Sequence, residues 1–290
     1  MRSEREMRRL IMTFAEQDER IRAVVLNGSR TDPEAPRDWF QDWDIVYAVT
    51  EVEPYVRDRS WIAAFGELII MQTPDEMELF PSGEASSGRF AYLMQCADGN
   101  RIDLTFVPVE QRHELGRDSL SMLLLDKDGA LEPFAEPSNS DYLPKPPTAG
   151  MFADCCNEFW WVSAYVAKGL WRRELPYAKY MCEHPVREML HQMLNWLIGA
   201  RSGYTANPGK QGKYYERYLD GKEWDAYVRT YATGDYEQSW EALLAMCELF
   251  RASGMEVAKR CGFAYNAGED RRVTAHLLHV RALSPDARTY

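Results

Sequence analysis

Two short stretches decide the fold of this chain: Leu26-Asn27-Gly28-Ser29-Arg30 and, after a polar loop, Gln41-Asp42-Trp43-Asp44-Ile45-Val46-Tyr47. The β-branched apolar run from Ile21 to Leu26 predicts a strand that ends in the glycine turn of the first stretch. The second stretch predicts another buried strand. Because side chains two positions apart on a strand point to the same side, Asp42 and Asp44 are expected to face together.

A third acidic residue lies within a later strand. The turn Asp98-Gly99-Asn100 separates two apolar runs and predicts a hairpin whose second strand covers Arg101 to Val107. Asp103 lies in the middle of that strand, where an unpaired charge is costly to bury. A cation is a suitable partner, and Mg²⁺ prefers oxygen ligands that include a few carboxylates. The sequence therefore predicts a metal site formed by Asp42, Asp44 and Asp103.

The glycine turn supplies the other half of a phosphate-transfer site. A glycine at a strand end lets the backbone come close to a ligand, and the N–H groups and hydroxyl of Gly28-Ser29 can hold phosphate oxygens. Arg30 adds positive charge to the same place. These residues predict a metal-assisted phosphate transfer, in which two Mg²⁺ ions activate the attacking hydroxyl and neutralise the leaving pyrophosphate. Asp103 is a candidate for both metal ligand and general base.

The rest of the pattern predicts an α+β protein with two domains. A first helix is predicted over residues 3–19, and further strands over residues 44–49, 67–72, 89–96 and, at the sheet edge, 119–125. These elements form a mixed β-sheet with flanking helices. Prolines between Glu132 and Gly150 resist both helix and strand, so the boundary is placed there and the domains are 1–147 and 148–290. A C-terminal α-helical bundle is predicted from helical spacing over residues 151–171, 177–198 with an interruption at Pro185, 224–231, 236–261 and 270–283.

Composition and charge exclude several classes of protein. The chain has 46% hydrophobic and 27% charged residues, which are ordinary globular values. No apolar run is long enough to span a membrane, and the charged start MRSEREMRRL is unlike a signal peptide, so a cytoplasmic protein without a membrane partner is expected. Residues 1–147 contain 16 basic and 28 acidic side chains, and the remainder contains 18 and 17. An acidic first domain disfavours nucleic acid and favours a cationic partner, although surface acids that only keep a protein soluble give the same charge.

Cysteine and histidine give no metal-binding pattern. The six cysteines include no CxxC pair and are expected to stay reduced in an intracellular chain. His184 and His191 lie on one predicted helix and His276 and His279 on another, but neither pair has the further ligands of a zinc site. Both pairs are therefore interpreted as structural.

The order of Gly-Ser turn, acidic pair and later strand acid resembles the polymerase β-type nucleotidyltransferase superfamily. Two longer runs, Ala15–Thr31 and Phe40–Tyr47, closely resemble the aminoglycoside 6-adenylyltransferases, which are streptomycin resistance enzymes. Asn157–Trp161 and Gly212–Tyr215 extend the resemblance into the second half. It implies an N-terminal nucleotidyltransferase domain, a helical substrate-binding domain and Mg²⁺-dependent transfer of AMP from ATP to the 6-hydroxyl of streptomycin, with release of pyrophosphate. The residues that match the superfamily motif are Ser29, Arg30, Asp42, Asp44 and Asp103, so an active enzyme is implied.

Charged residues of the second half are further candidates for this site. Glu158 is expected either to contact the drug or to act as the base in place of Asp103, and a solvated helix carboxylate explains it equally well. The candidates for holding the triphosphate are Lys168, Lys179 and Lys213, each of which also suits a plain surface position. Lys213 is preferred because it follows the flexible stretch Gly209–Gly212.

Aromatic residues form two more candidate sets. Trp160, Trp161 and Tyr165 either line the drug site or pack in the core of the bundle. Trp39, Phe40 and Trp43 either contact adenine or pack their own loop. Packing is the preferred interpretation for both sets.

Three functions remain open from the sequence. The first is adenylylation of a cationic aminoglycoside by a monomer or weak oligomer. The second is nucleotide transfer to another acceptor, such as a lincosamide, another aminoglycoside, a protein or an RNA end, of which the RNA end is disfavoured by charge. The third is a non-catalytic nucleotide sensor or an antitoxin-like partner protein. A sensor can lose an acid of the set Asp42, Asp44 and Asp103, whereas this sequence has all three.

Overall fold

The computed structural model describes residues 1–79 and 88–289. The chain forms two compact units, Met1–Asp141 and Tyr142–Tyr290. The division lies inside the predicted proline-rich linker, a few residues before the predicted boundary at 147. The functions predicted for the two domains, catalysis and substrate binding, stay predictions.

The first unit is built on a six-stranded mixed sheet. The strands are β1 Ile21–Asn27, β2 Trp43–Val49, β3 Leu68–Gln72, β4 Phe90–Cys96, β5 Arg101–Pro108 and β6 Ser121–Asp126. They lie in the order β3-β4-β5-β2-β1-β6. β2 pairs with β5 in parallel, and all other neighbouring strands pair antiparallel. The predicted mixed sheet, its hairpin β4–β5 and its edge strand β6 are confirmed.

The first helix packs on one face of this sheet, and the acidic residues lie on the other face. Helix α1, Glu4–Gln17, begins at Ser3, whose side chain forms a capping box with Glu6. Its buried side chains are Met7, Ile11 and Ala15, and the hydroxyl of Tyr47 on β2 donates to the carbonyl oxygen of Ile11 at 2.9 Å. Since side chains alternate along a strand, Asp44 lies on the opposite face from Tyr47. A short helix α2, Glu53–Arg57, follows β2.

The second unit is a helical bundle, as predicted. Its α-helices are α3 Ala149–Trp171, α4 Leu175–Met181, α5 Arg187–Ser202, α6 Tyr215–Tyr218, α7 Gly221–Val228, α8 Tyr236–Cys261 and α9 Ala267–Ala282. Pro185 does not break the chain into two separated helices, because α4 and α5 are joined through a π-helical segment, Cys182–Val186, that contains it. A proline lacks the backbone N–H of a regular turn, and the wider turn accommodates this loss.

The core of the bundle contains a group of packed aromatic rings. The rings of Phe159 on α3 and Phe250 on α8 are stacked with centroids 3.7 Å apart. Trp160 packs edge-on against both rings and is 2% exposed, so its interpretation as a core residue is confirmed. No helix among the described residues is long and apolar enough to cross a membrane. All six cysteines are free thiols.

Candidate active site

The turn after β1 is pressed against an acidic residue of β2. Gly28–Arg30 forms one turn of 3-10 helix, and Gly28 has a φ of +74°. A Cβ atom at Gly28 would overlap Oδ2 of Asp44. Glycine is therefore required at this position for two reasons. The positive φ disfavours a side chain, and the neighbouring carboxylate leaves no space for one.

The structure brings the three predicted acids to one end of the sheet. Asp44 and Asp103 are direct partners in the register of the parallel strands β2 and β5, and Asn27 at the end of β1 is the partner of Asp44 on the other side. Asp42 lies two residues before Asp44, just ahead of β2. Three carboxylates thus lie at one end of the sheet, and Asp44 among them lies beside the glycine turn.

The carboxylates influence each other's ionisation. Burial, reinforced by the charges of Asp103 and Asp42, raises the pKa of Asp44 to about 6. Burial also raises the pKa of Asp42, where the guanidinium of Arg101 opposes the shift and Asp103 adds to it. A raised pKa means that the ionised form lacks compensation in the free protein, which is a property of sites that take a cation.

Arg101 is a member of the site that sequence reasoning missed. Its Nε donates to Oδ1 of Asp103 at 2.9 Å and its Nη2 to Oδ2 at 2.8 Å, so both carboxylate oxygens are engaged. The same guanidinium lies 3.7 Å from Oδ2 of Asp42. The signal was present in the sequence, because residues 101 and 103 are two apart on one strand and must share a face.

The donor set suits a divalent cation, although it is not arranged around one in this structure. Within residues 1–79 and 88–289, no group of three or more His, Cys, Asp or Glu side chains is placed so that it could hold a metal ion. Three carboxylates are the hard oxygen ligands that Mg²⁺ prefers. The chemistry of the residues therefore fits the predicted metal, and the third acid, Asp103, is paired with Arg101.

Arg30 and Ser29 hold the loop that leads to the acidic pair. Arg30 donates from Nε to the carbonyl oxygen of Asp42 at 2.9 Å and from Nη2 to that of Gln41 at 2.7 Å. Its guanidinium lies 4.2 Å from the centre of the Trp43 ring, and burial lowers its pKa. Gln41 in turn donates from Nε2 to the carbonyl oxygen of Ser29 at 3.1 Å. The predicted phosphate contacts of Ser29 and Arg30 stay predictions.

The aromatic residues near the acids divide into two groups. Trp43 is 1% exposed and packs in the sheet core, as predicted. Trp39 and Phe40 are 71% and 87% exposed, so the preferred interpretation that they pack their loop is wrong for these two. Exposed aromatic rings close to a polar site are available for stacking or cation–π contact with a ligand.

The candidates of the second unit lie on its surface. Glu158, Trp161, Tyr165 and Lys168 are spaced three or four apart on α3 and therefore share one face of that helix. Trp161 is 61% exposed, and its Nε1 donates to the hydroxyl of Tyr165 at 2.9 Å. Lys168 places its ammonium 4.8 Å from the centre of the Tyr165 ring. The preferred interpretation of Trp161 as a core residue is wrong, whereas Trp160 is core.

Lys179 and Lys213, the other candidates for holding the triphosphate, differ in their contacts. Lys179 donates to the carbonyl oxygen of Ala232 at 2.9 Å, which gives it a structural partner. Lys213 follows a stretch in which Gly209, Gln211 and Gly212 all have positive φ. Its ammonium lies 5.0 Å from the centre of the Tyr214 ring. Lys213 thus follows a conformationally unusual loop, which is the kind of segment found at binding sites.

His191 is structural, as predicted. Its Nε2 lies 2.8 Å from the hydroxyl of Tyr227. Burial, with the nearby charge of Arg187, lowers the pKa of His191 to about 4. A histidine held neutral between helices is part of the bundle rather than of a metal site.

Comparison with known proteins identifies relatives of this chain. Residues 1–280 match the family described as Streptomycin adenylyltransferase. The chain belongs to that family. It is 41% identical over 267 residues to an aminoglycoside 6-adenylyltransferase of Bacillus subtilis (strain 168), covering 91% of this chain and 93% of the relative.

Other relatives of the streptomycin adenylyltransferase family match over similar lengths. An aminoglycoside 6-adenylyltransferase of Campylobacter jejuni is 41% identical over 266 residues, with 91% of each chain covered. One of Staphylococcus aureus is 36% identical over 253 residues, covering 87% of this chain and 89% of the relative. A crystal structure of an aminoglycoside 6-adenyltransferase from Bacillus subtilis aligns with 98% of this chain and 100% of its own, at 36% identity and a TM-score of 0.48.

Family membership confirms that the chain is a nucleotidyltransferase enzyme, and ATP is the co-substrate that an adenylyltransferase implies. The resemblance of the runs Ala15–Thr31 and Phe40–Tyr47 to the aminoglycoside 6-adenylyltransferases is confirmed in the same way. A non-catalytic sensor is therefore not the function of this chain.

Proposed function

We propose that the chain transfers AMP from ATP to the 6-hydroxyl of streptomycin and releases pyrophosphate. The observation that carries this proposal is the cross-strand pairing of Asp44 with Asp103, directly beside the turn at Gly28. Two carboxylates and the Gly-Ser turn lie at one end of the sheet, and this supports metal binding by the acids and phosphate binding by the turn. The acceptor is supported by the relatives, which are named aminoglycoside 6-adenylyltransferases.

Different residues of the first unit have different roles in the reaction. Asp42, Asp44 and Asp103 would hold Mg²⁺, which supplies positive charge to the reacting phosphate and to the leaving pyrophosphate. Asp103 accepts the proton of the attacking hydroxyl as that oxygen bonds to the α-phosphorus and the bond to pyrophosphate breaks. The backbone N–H and hydroxyl of Ser29 hold phosphate oxygens, and Arg30 adds positive charge.

The second unit supplies groups for both substrates. Lys168 and Lys213 contribute positive charge to the triphosphate. The exposed face of α3 with Glu158 and Trp161 suits a cationic drug, because a carboxylate pairs with a guanidinium and an indole ring attracts one through cation–π contact. The net charge of −11 attracts a cation of this kind over a longer distance. The product is a modified antibiotic, and the function is resistance of a cell whose cytoplasm contains the enzyme and its ATP.

The proposal is tested by an endpoint assay with mass spectrometry. Purified protein is incubated with Mg²⁺, ATP and, separately, streptomycin, spectinomycin, kanamycin or lincomycin. We expect streptomycin alone to gain one adenylyl group, with one pyrophosphate released for each drug molecule modified. Fragmentation of the product then assigns the modified hydroxyl.

Two variants make the assay specific to the acidic site. Asp44→Asn should abolish transfer because it removes a carboxylate beside the glycine turn. Asp225→Asn changes the net charge equally at an exposed position of α7 and should leave transfer unchanged. Modification of another drug in place of streptomycin would refute the acceptor and keep the nucleotidyltransferase. Full activity of Asp44→Asn would refute the site.

A further inference from the structure

Arg101 is the basic side chain that binds a carboxylate of the acidic site directly. Its two bonds to Asp103, at 2.9 Å and 2.8 Å, form a bidentate pair, and its approach to Asp42 at 3.7 Å adds a second acid. Paired guanidinium and carboxylate groups of this geometry are among the stronger polar contacts in proteins. Arg30, the other nearby arginine, instead donates its hydrogen bonds to backbone carbonyls of Gln41 and Asp42.

The acids need such a counter-charge when no substrate is bound. Asp42 and Asp44 have raised pKa values because they are partly buried near each other and near Asp103. The positive charge of Arg101 opposes the shift in both. Three carboxylates beside one another would otherwise repel and open the strand ends, so Arg101 preserves the register of β2 with β5 around Asp44 and Asp103.

We propose that Arg101 is a positioning residue that substitutes for a divalent cation in the ligand-free enzyme and competes with that cation for Asp103. This inference deepens the proposed function and rests on it for the identity of the metal ligands. Both oxygens of Asp103 accept bonds from Arg101, so Arg101 must release at least one of them before Asp103 can serve as a ligand. The enzyme is thereby kept folded and its acids kept close together, at the cost of weaker metal binding until substrate arrives.

The direction in which metal affinity changes when Arg101 is replaced distinguishes a competitor from a structural residue. A residue that only maintains the structure would weaken metal binding when it is replaced. Arg101→Gln removes the competitor and leaves the three acids, so metal binding should become stronger while the metal-free protein becomes less stable. The loss of one charge-assisted bidentate contact suggests a change of about tenfold in affinity.

The test uses the full chain without ATP or drug. Binding of Mn²⁺ is followed by the loss of the free-ion signal in electron paramagnetic resonance, and thermal unfolding is recorded with and without the ion. Arg22→Gln is the matched control, because Arg22 also forms a bidentate pair with an aspartate, Asp128, in the same unit but away from the acids. Arg101→Lys keeps the charge and loses the fork geometry, so its affinity should lie between those of wild type and Arg101→Gln.

The expected result is tighter Mn²⁺ binding by Arg101→Gln, an unchanged affinity in Arg22→Gln, and loss of the tight binding when Asp44→Asn is added to Arg101→Gln. Equal or weaker binding by a folded Arg101→Gln variant would overturn the proposal. If that variant does not fold, Arg101→Lys is used instead: tighter Mn²⁺ binding than wild type supports the proposal, and equal or weaker binding overturns it. Because no drug is present, tighter binding together with failure to modify any aminoglycoside would refute only the proposed function.

Discussion

The backbone of Gly28 lies so close to Asp44 that a methyl group on Gly28 would overlap Oδ2 of this carboxylate. The turn that is proposed to hold phosphate and the acid that is proposed to hold the metal are therefore packed as one piece. Gly28 is also hydrogen-bonded through its N–H to the carbonyl oxygen of Leu120 at 3.0 Å, which ties the turn to the residue just before β6. A displacement of either group is therefore expected to disturb the other.

Gly28→Ala is therefore expected to abolish AMP transfer. The added methyl displaces Asp44, and the positive φ alone costs about 1 kcal/mol of stability. Gly129→Ala is the matched control, because Gly129 also has a positive φ, of +60°, but its added methyl would meet no atom of the described residues within 4 Å, its chain neighbours aside. Both variants should lose similar stability in thermal unfolding, and only Gly28→Ala should lose activity. Activity in both would show that Asp44 tolerates displacement.

The raised pKa of Asp44 predicts how stability depends on pH in the metal-free protein. Burial and the charges of Asp103 and Asp42 raise this pKa from 3.8 to about 6. The folded state thus holds the proton more tightly than the unfolded state, so this contribution to stability is complete below about pH 4 and is lost as the pH rises to about 6. Asp44→Asn has no charge to bury at this position and so does not lose stability as the pH rises. At pH 7 with a chelator, the variant should be more stable than wild type by on the order of 1 to 2 kcal/mol.

The measurement is urea unfolding of both proteins at several pH values across this window. The difference in free energy of unfolding between Asp44→Asn and wild type should increase with pH and level off above about pH 7. Adding Mg²⁺ at pH 7 should stabilise wild type and not the variant, because binding to the folded state alone raises stability. Parallel pH curves for the two proteins would contradict the charge coupling of the acids.

The general base is assigned by comparing two carboxylates. We predict that Asp103 is the base, because it is paired in register with Asp44, the acid that lies beside the turn. Asp103→Asn should lower kcat by about a hundredfold or more. Glu158→Gln should raise KM for streptomycin and leave kcat within about threefold, as expected for a residue that binds the drug without reacting. Glu248→Gln, at an exposed position of α8, controls for the loss of a surface charge. A collapse of kcat in Glu158→Gln with normal KM would transfer the role to Glu158.

The sequence was informative where a local pattern determines structure. The turn at Asp98–Asn100 between two apolar runs predicted the hairpin of β4 and β5, and the helical spacing of α8 predicted its bounds at residues 236 and 261. The two-residue spacing of Asp42 and Asp44 predicted that these acids lie together, because spacing on a strand fixes which side chains share a face.

The sequence was less informative about features that depend on the pairing of distant segments or on side-chain conformation. The parallel pairing of β2 with β5 joins residues far apart in the chain, so the partnership of Asp44 with Asp103 could not be read from either strand alone. The bond between Arg101 and Asp103 depends on the direction of a long side chain. Trp160 and Trp161 are adjacent in sequence, and only the packing of α3 shows which of them is buried.

The contrast between these two tryptophans gives the last prediction. Trp160 is 2% exposed in the aromatic core, whereas Trp161 is 61% exposed on the helix face that also carries Glu158. Trp160→Ala should lower the free energy of unfolding by about 3 to 5 kcal/mol because it leaves a cavity. Trp161→Ala should change stability by less than about 0.5 kcal/mol and raise KM for streptomycin by about fivefold, the value of one exposed cation–π contact. The pair is measured by urea unfolding and steady-state kinetics. Unchanged KM in Trp161→Ala would remove this face of α3 from the drug site, because its carboxylate and its aromatic ring are proposed to bind the same guanidinium.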